Sequence, residues 1–344
     1  MGDTFQQVRS RLGLRGLAAT AAILVALVVA VATPQILGTR VAAAFSALNT
    51  ADPTWLWLAG IGFCLAVVSA AGSWRCAIRL CGGDLTLPDA CARYGAGSLV
   101  NTFVPARAGD AVRLGLFSRV LPNRERLWTT GSAFGALGAA RAVVLGALVI
   151  AGSAIGTLPI WPLFVALGLV AIAVAVSVFA RGRNPEHRAG HLLDAFRALG
   201  SNPAAGLRLV AWIAVSTAGR LAAASAVAAA LGIHNPVAAA IVIIPALEVA
   251  GMIPLTPGNV GITSGAIAIA FQSQGVSFTN GLAAGIAFHA VETAVGLMFG
   301  IASAAWLAPY RSPAMRRVVL LATAASWALG IAGAFSATVL VPLV

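Results

Sequence analysis

Apolar residues run along this chain in stretches of about twenty, and polar residues gather in short intervals between them. A helix needs about 20 apolar residues to cross a ~30 Å hydrocarbon core. The pattern therefore predicts full spans near 16–37, 55–74, 127–150, 159–180, 208–231, 280–306 and 318–341. Two more apolar stretches, 86–121 and 237–274, are broken in the middle by VPARAGDAVRLG at 104–115 and IPLTPGNVGITS at 253–264. Each is long enough for two short helical arms joined at a tip. The arm 110–121 is too short to cross, which favours hairpins that re-enter the membrane. Backbone that leaves the helix at depth is tolerated only where protein encloses it or it lines a watery cavity. The expected fold is an all-α polytopic membrane protein, with seven full spans plus two opposed Pro/Gly-tipped hairpins, forming one integral membrane domain over residues 1–344.

The order of elements repeats. Residues 55–180 read span, hairpin, span, span, and residues 208–341 read the same way. An odd number of crossings separates the two units, so the first hairpin opens to the cytoplasm and the second to the outside. That makes them inverted repeats. Pro105 and Gly109 at the first tip match Pro254 and Gly258 at the second, where Pro257 also stands, and Asp110 matches Asn259. Arg141 follows the first tip at about the distance at which Glu292 follows the second. Interrupted segments in corresponding halves are the strongest sequence pointer to a transport site, and inverted halves suit alternating access.

Composition removes the alternatives. Hydrophobic residues make up 60% of the 344 positions and charged ones 9%, and the longest polar insert, from Arg181 to about Asn202, is too short to bury a core. All 22 basic residues are arginine and the formal charge is +12. In a soluble protein this would suggest nucleic acid. Here the arginines lie between spans, so the expected partners are the membrane and an anionic lipid or lipid-linked substrate, with no nucleic acid. Seventeen of them fall to one side of the proposed topology and only Arg40 to the other, which sets the N-terminus in the cytoplasm and the C-terminus outside a plasma membrane. The first span is longer than a secretory h-region and is read as an uncleaved anchor. Cys64, Cys76, Cys81 and Cys91 form no CxxC and are read as free thiols. In the insert 181–206, arginines interleave with Leu192, Leu193, Phe196 and Leu199, a pattern that fits an amphipathic helix at the inner surface or a basic linker.

Charges at membrane depth are costly and need a partner or a cavity. Arg107 and Arg113 flank the first tip and could grip a lipid phosphate, with Arg107 as the primary contact. Alternatively, Asp110 caps the second arm and pairs with Arg113. Arg141, Arg220, Glu248 and Glu292 fall near the centres of their segments, as substrate ligands or as pairs that fix packing. Asn259 is a helix cap or a ligand. These embedded charges comprise four arginines and three acids with Asp110 included, and the surplus favours an anionic substrate. His289 and Glu292 share a helical face, as a packing hydrogen bond or a proton relay. Gly131-x-x-x-Gly135, Gly281-x-x-x-Gly285 and Gly296-x-x-x-Gly300 suit close helix approach, within the chain or between copies of it. No metal cluster, cofactor motif or catalytic motif of a soluble enzyme is evident.

The segment RYGAGSLVNTFVPARAGDAVRLGLFSRV, preceded by SWRCAIRL and followed by IPLTPGNVGITSGAIAIAF, resembles the transmembrane region of lysylphosphatidylglycerol synthases. This is the flippase part of multiple peptide resistance factor, with its stand-alone relatives, and the resemblance covers about 55–306. It departs from that family's usual pattern at Ala140, before Arg141, and at His289 and Glu292. The resemblance implies lipid translocation or lipid handling. Aminoacyl transfer in the full enzyme belongs to a separate soluble domain, so no enzymatic activity is expected of these spans. The alternative is a membrane-embedded transferase or accessory factor acting on polyprenyl-phosphate-linked sugars, with Asp110 or Glu248 as its base. A further alternative is a scaffold whose embedded charges serve structure alone.

Overall fold

The computed structural model describes residues 51–104, 108–122, 125–158, 194–251, 260–272 and 274–307, with isolated positions between 164 and 175. The described residues are helical, with no strand among them. They form α1 (Pro53–Leu80), α2 (Leu87–Phe103), α3 (Ala108–Ser118), α4 (Arg126–Ala154), α5 (Asp194–Ser201), α6 (Pro203–Ala230), α7 (Pro236–Ala250), α8 (Val260–Gln272) and α9 (Phe278–Leu307). Four of these, α1, α4, α6 and α9, are long and apolar enough to cross a membrane. They match the expected spans 55–74, 127–150, 208–231 and 280–306, each longer overall by a few residues. The other expected spans, 16–37, 159–180 and 318–341, lie outside the described residues, apart from those isolated positions in 159–180. The two broken stretches resolve into the pairs α2/α3 and α7/α8, whose members run from 11 to 17 residues and fall short of a full crossing.

Helix ends explain where the long elements begin and stop. At the start of α1, Asp52 accepts a hydrogen bond from the Thr54 N–H and Pro53 occupies the first turn, where its missing donor costs nothing. Asn202 and Pro203 do the same for α6, with the Ala205 N–H as donor. Both helices are 28 residues long, and both end on a left-handed glycine, Gly82 (φ 83°) and Gly232 (φ 67°). Past each glycine the next N–H returns to the helix, from Gly83 to Ile78 O and from Ile233 to Ala228 O, which closes a Schellman motif. Start, length and stop thus recur at one constant offset along the chain.

α1 and α6 lie antiparallel. The Asp52 N–H donates to Ala230 O at one end, the Ser216 hydroxyl donates to Ala66 O near the middle, and Cys76 reaches Ala205 O at the other end. Their backbones touch at Gly62 and Gly219, where a Cβ on either residue would come within 2.8 Å of the other's carbonyl oxygen. Apolar packing fills both sides of this crossing. Trp74 stacks on Phe117 at 4.7 Å beside α2, α3 and α4, while Phe63 meets Phe288 edge-on at 4.8 Å beside α7, α8 and α9. The outward faces carry large apolar residues such as Ile61, Leu127, Ile269 and Ile301, a surface suited to lipid and not to water.

Small residues set the remaining close approaches. Cβ atoms built on Gly281 and Gly285 would sit 2.9 and 2.7 Å from Ala268 and Ser264 Cα, so this glycine pair lets α8 lie directly on α9. Gly300 packs against Leu99 but Gly296 faces open space, so that second pair does not act as a unit. The insert expected at the inner surface contains α5. Its Ala195 N–H donates to the buried Ser132 hydroxyl of α4, and Leu199 packs into the core beside Trp74. α5 is therefore docked on the bundle, and residues 181–193 lie outside the described region.

Candidate functional site

Five embedded ionisable residues meet in one chain of contacts. Arg220 Nη1 on α6 donates to Glu248 Oε1 on α7 at 2.6 Å, and Arg141 Nη1 on α4 lies 3.8 Å from the other oxygen of the same carboxylate. Arg220 Nη2 faces Glu292 Oε1 on α9 at 3.8 Å, and Glu292 Oε2 lies 3.4 Å from His289 Nδ1. The chain ends where His289 Nε2 meets the Thr263 hydroxyl of α8. Arg141 at one end has half its side chain open (51%), and His289 at the other has 8%. Glu248 is thus one carboxylate shared by two guanidiniums from different helices.

A cleft opens beside this junction. Arg141, Arg220 and Glu248 line it with three hydroxyl residues, Ser73, Ser216 and Thr217. Its free volume is about 20 Å³, room for about one water. Arg220 Nε is buried and has no hydrogen-bond partner among the described residues, and an unsatisfied buried donor of a charged group is costly. Pro245, inside α7, lacks the N–H that Ile241 O would otherwise accept and stands one turn before Glu248.

Asp110 and Arg113 form a separate unit. Arg113 donates through Nη1 to Asp110 Oδ1 at 2.6 Å, through Nη2 to Ser98 Oγ at 2.7 Å and through Nε to Tyr94 O at 3.3 Å. Its guanidinium also stacks over the Tyr94 ring at 4.0 Å. Three donors and one face are committed within α2/α3, so of the two readings the sequence left open for Arg113 the geometry favours the internal pair.

The tip of α2/α3 is closed by Gly109, whose N–H donates to Asn101 Oδ1 at 2.6 Å. A Cβ at Gly109 would collide with Gly97 O and the Asn101 amide. Gly109→Ala is expected to open the hairpin and to lower the thermal midpoint in detergent, with an overpacking cost of about 1–3 kcal/mol. A midpoint equal to that of wild type would show the tip to be pliable. Arg107, Pro105, Pro254, Pro257, Gly258 and Asn259 lie outside the described residues. No group of three potential metal ligands occurs among the described residues.

Tyr94, Ser98 and Asn101 were not singled out from the sequence. They recur at helical spacing on one face of α2, a polar stripe in an otherwise apolar stretch, and that signal could have found them. Thr263 offers no such signal, since buried threonines in membrane helices commonly bond their own backbone.

The family model of the lysylphosphatidylglycerol synthase TM region matches residues 17–300. The chain belongs to this family. The match takes in every described helix up to Gly300 of α9 and every residue of the charge chain. As a lysylphosphatidylglycerol synthase TM-region protein with four helices able to span, it is a multi-pass membrane protein. No curated protein matches the chain at a significant level.

Proposed function

We propose that this protein moves an anionic lipid between leaflets and that the headgroup binds in the cleft between Arg141 and Arg220. One observation carries the reading: two arginines converge on a single carboxylate beside a cleft, leaving Arg141 half exposed and Arg220 Nε without a hydrogen-bond partner among the described residues. A purely structural set would give each arginine its own buried carboxylate, whereas here Arg141 shares Glu248 with Arg220 and stays half exposed. An incoming phosphate could accept from both guanidiniums, which are the donors best shaped for it.

The finer architecture is part of the proposal. Seven spans with two re-entrant hairpins form inverted repeats, the first opening to the cytoplasm and the second outward across a plasma membrane. What supports this is the matched punctuation of α1 and α6, their antiparallel crossing, and pairings that recur when the halves are exchanged. Thus α2 packs on α9 and α7 on α4, and each hairpin packs on the long helix that follows it. Arg141 comes from the first half and Arg220 and Glu248 from the second, so the cleft sits on the seam. Relative motion of two such halves would open it to alternate sides. With room for about one water, the described conformation is a closed state on this reading.

The test is reconstitution into phosphatidylcholine vesicles carrying an acyl-labelled anionic lipid, with leaflet exchange followed by chemical quenching. Arg141→Gln leaves the Glu248–Arg220 bond intact but removes a charge-assisted donor of about 1.5–3 kcal/mol. Exchange should fall roughly tenfold or more. Equal exchange of zwitterionic and anionic probes, or wild-type rates in Arg141→Gln, would overturn the assignment.

A further inference from the structure

We infer that the site takes a monoanionic phosphodiester together with one proton, and that the proton is held by the His289–Glu292 pair. This rests on the lipid reading of the cleft above. With His289 neutral, Arg141 and Arg220 balance Glu248 and Glu292, and the chain carries no net charge. A bound monoanion would leave one uncompensated negative charge at membrane depth, which is costly. One proton taken up with it restores neutrality.

The group able to take that proton is built into the chain. Histidine is the side chain that ordinarily changes charge between about pH 5 and 8. The His289 ring stands between the Glu292 carboxylate at Nδ1 and the Thr263 hydroxyl at Nε2. With the ring neutral, Nδ1–H donates to Glu292 and Nε2 accepts from the threonine O–H. A proton drawn from water then adds to Nε2, and the hydroxyl rotates from donor to acceptor. Both protonation states are hydrogen-bonded without any movement of the backbone. Once the imidazolium neutralises Glu292, the pull of that carboxylate on Arg220 weakens, and Arg220 is freer to turn to the anion.

Other charges near the pair do not supply this proton. α8 carries no ionisable residue, and α6 presents Arg220. α7 and α4 present Glu248 and Arg141, and α2 presents Tyr94, on which the self-neutral Asp110–Arg113 pair of α3 rests. On the helices packed against α9, the remaining charges are Asp89 and Arg93 in the first turns of α2, Arg75 and Arg79 towards the end of α1, and Arg208 near the start of α6. On α9 itself, His289 and Glu292 are the ionisable groups.

The decisive measurement is calorimetric binding of a short-chain phosphatidylglycerol to the full-length protein in phosphatidylcholine nanodiscs, repeated in buffers of different ionisation heat. Wild type should take up about one proton per lipid, and its affinity should fall about tenfold per pH unit as pH rises above the titration. Glu292→Gln leaves the chain one charge positive with His289 neutral, so the bound monoanion is already matched, and binding should take up no proton and lose its pH slope. His289→Gln fixes the chain at neutral, so binding should be weak throughout and equally flat. Thr263→Val changes no charge but removes the partner of Nε2–H, and should move the midpoint to lower pH even if the other variants fold poorly. Wild-type binding without proton uptake, or a wild-type slope in Glu292→Gln, would overturn the coupling and leave the lipid site standing. Absence of any binding by wild type would overturn both.

Discussion

Arg220→Met is expected to destabilise the protein by about 3–5 kcal/mol, the usual cost of breaking a buried ion pair from one side. The substitution keeps the length and apolar stem of the side chain, so little packing is lost. What remains is Glu248, held at 3.8 Å by a half-exposed Arg141, and Glu292, which keeps His289. The loss should show as a lowered unfolding midpoint in detergent micelles, read by intrinsic fluorescence. Arg220→Met with Glu248→Met removes both members of the 2.6 Å pair and should recover much of the deficit, because the desolvation cost leaves with the charges. If Arg220→Met alone stays within about 1 kcal/mol of wild type, the pair is effectively solvated and the cleft is wetter than its 20 Å³ suggests.

Much of this arrangement was legible in the sequence, for a physical reason. In a chain with 9% charged residues, each arginine or acid within an apolar stretch is conspicuous, so Arg141, Arg220, Glu248 and Glu292 stood out by position alone. Which of them meet was not legible. Arg220 and Glu248 lie 28 residues apart on different helices, and only the packing of α6 on α7 brings them to 2.6 Å. The breaks within 86–121 and 237–274 were visible because proline and glycine cluster there, and such clusters mark the ends of helices. The likeness of the two long helices was overlooked because it sits in punctuation and not in identity: Asp52-Pro53 and Gly82 against Asn202-Pro203 and Gly232. Side chains facing lipid need only be apolar, so they drift, while caps and left-handed glycines answer to backbone demands that do not. The insert was legible only as an amphipathic pattern. An amphipathic pattern shows that one face seeks burial but not what covers it, and for α5 the cover is Ser132 and the core around Trp74.

The crossing of α1 and α6 carries the last expectation. A methyl group at Gly62 would lie 2.8 Å from Gly219 O and 2.9 Å from Ala223 N, and one at Gly219 would lie 2.8 Å from Gly62 O and 2.9 Å from Ala66 N. Every one of these neighbours is backbone, so no rotamer change relieves the contact and the helices must separate along the interface. Gly62→Ala and Gly219→Ala are each expected to cost about 1–3 kcal/mol, after part of the strain is offset by the helix preference of alanine, about 1 kcal/mol. Gly138 is the control, because it lies in α4 with open space around it. Gly138→Ala should therefore be neutral or stabilise by up to about 1 kcal/mol. Because both glycines guard one crossing, a helix already displaced by the first methyl has room for the second. The double variant should then cost clearly less than the two single losses added together, a coupling of the kind contacting residues show. Thermal midpoints of the four proteins in detergent suffice to measure it, with strict additivity as the result that would separate the two sites and undo the shared-crossing account.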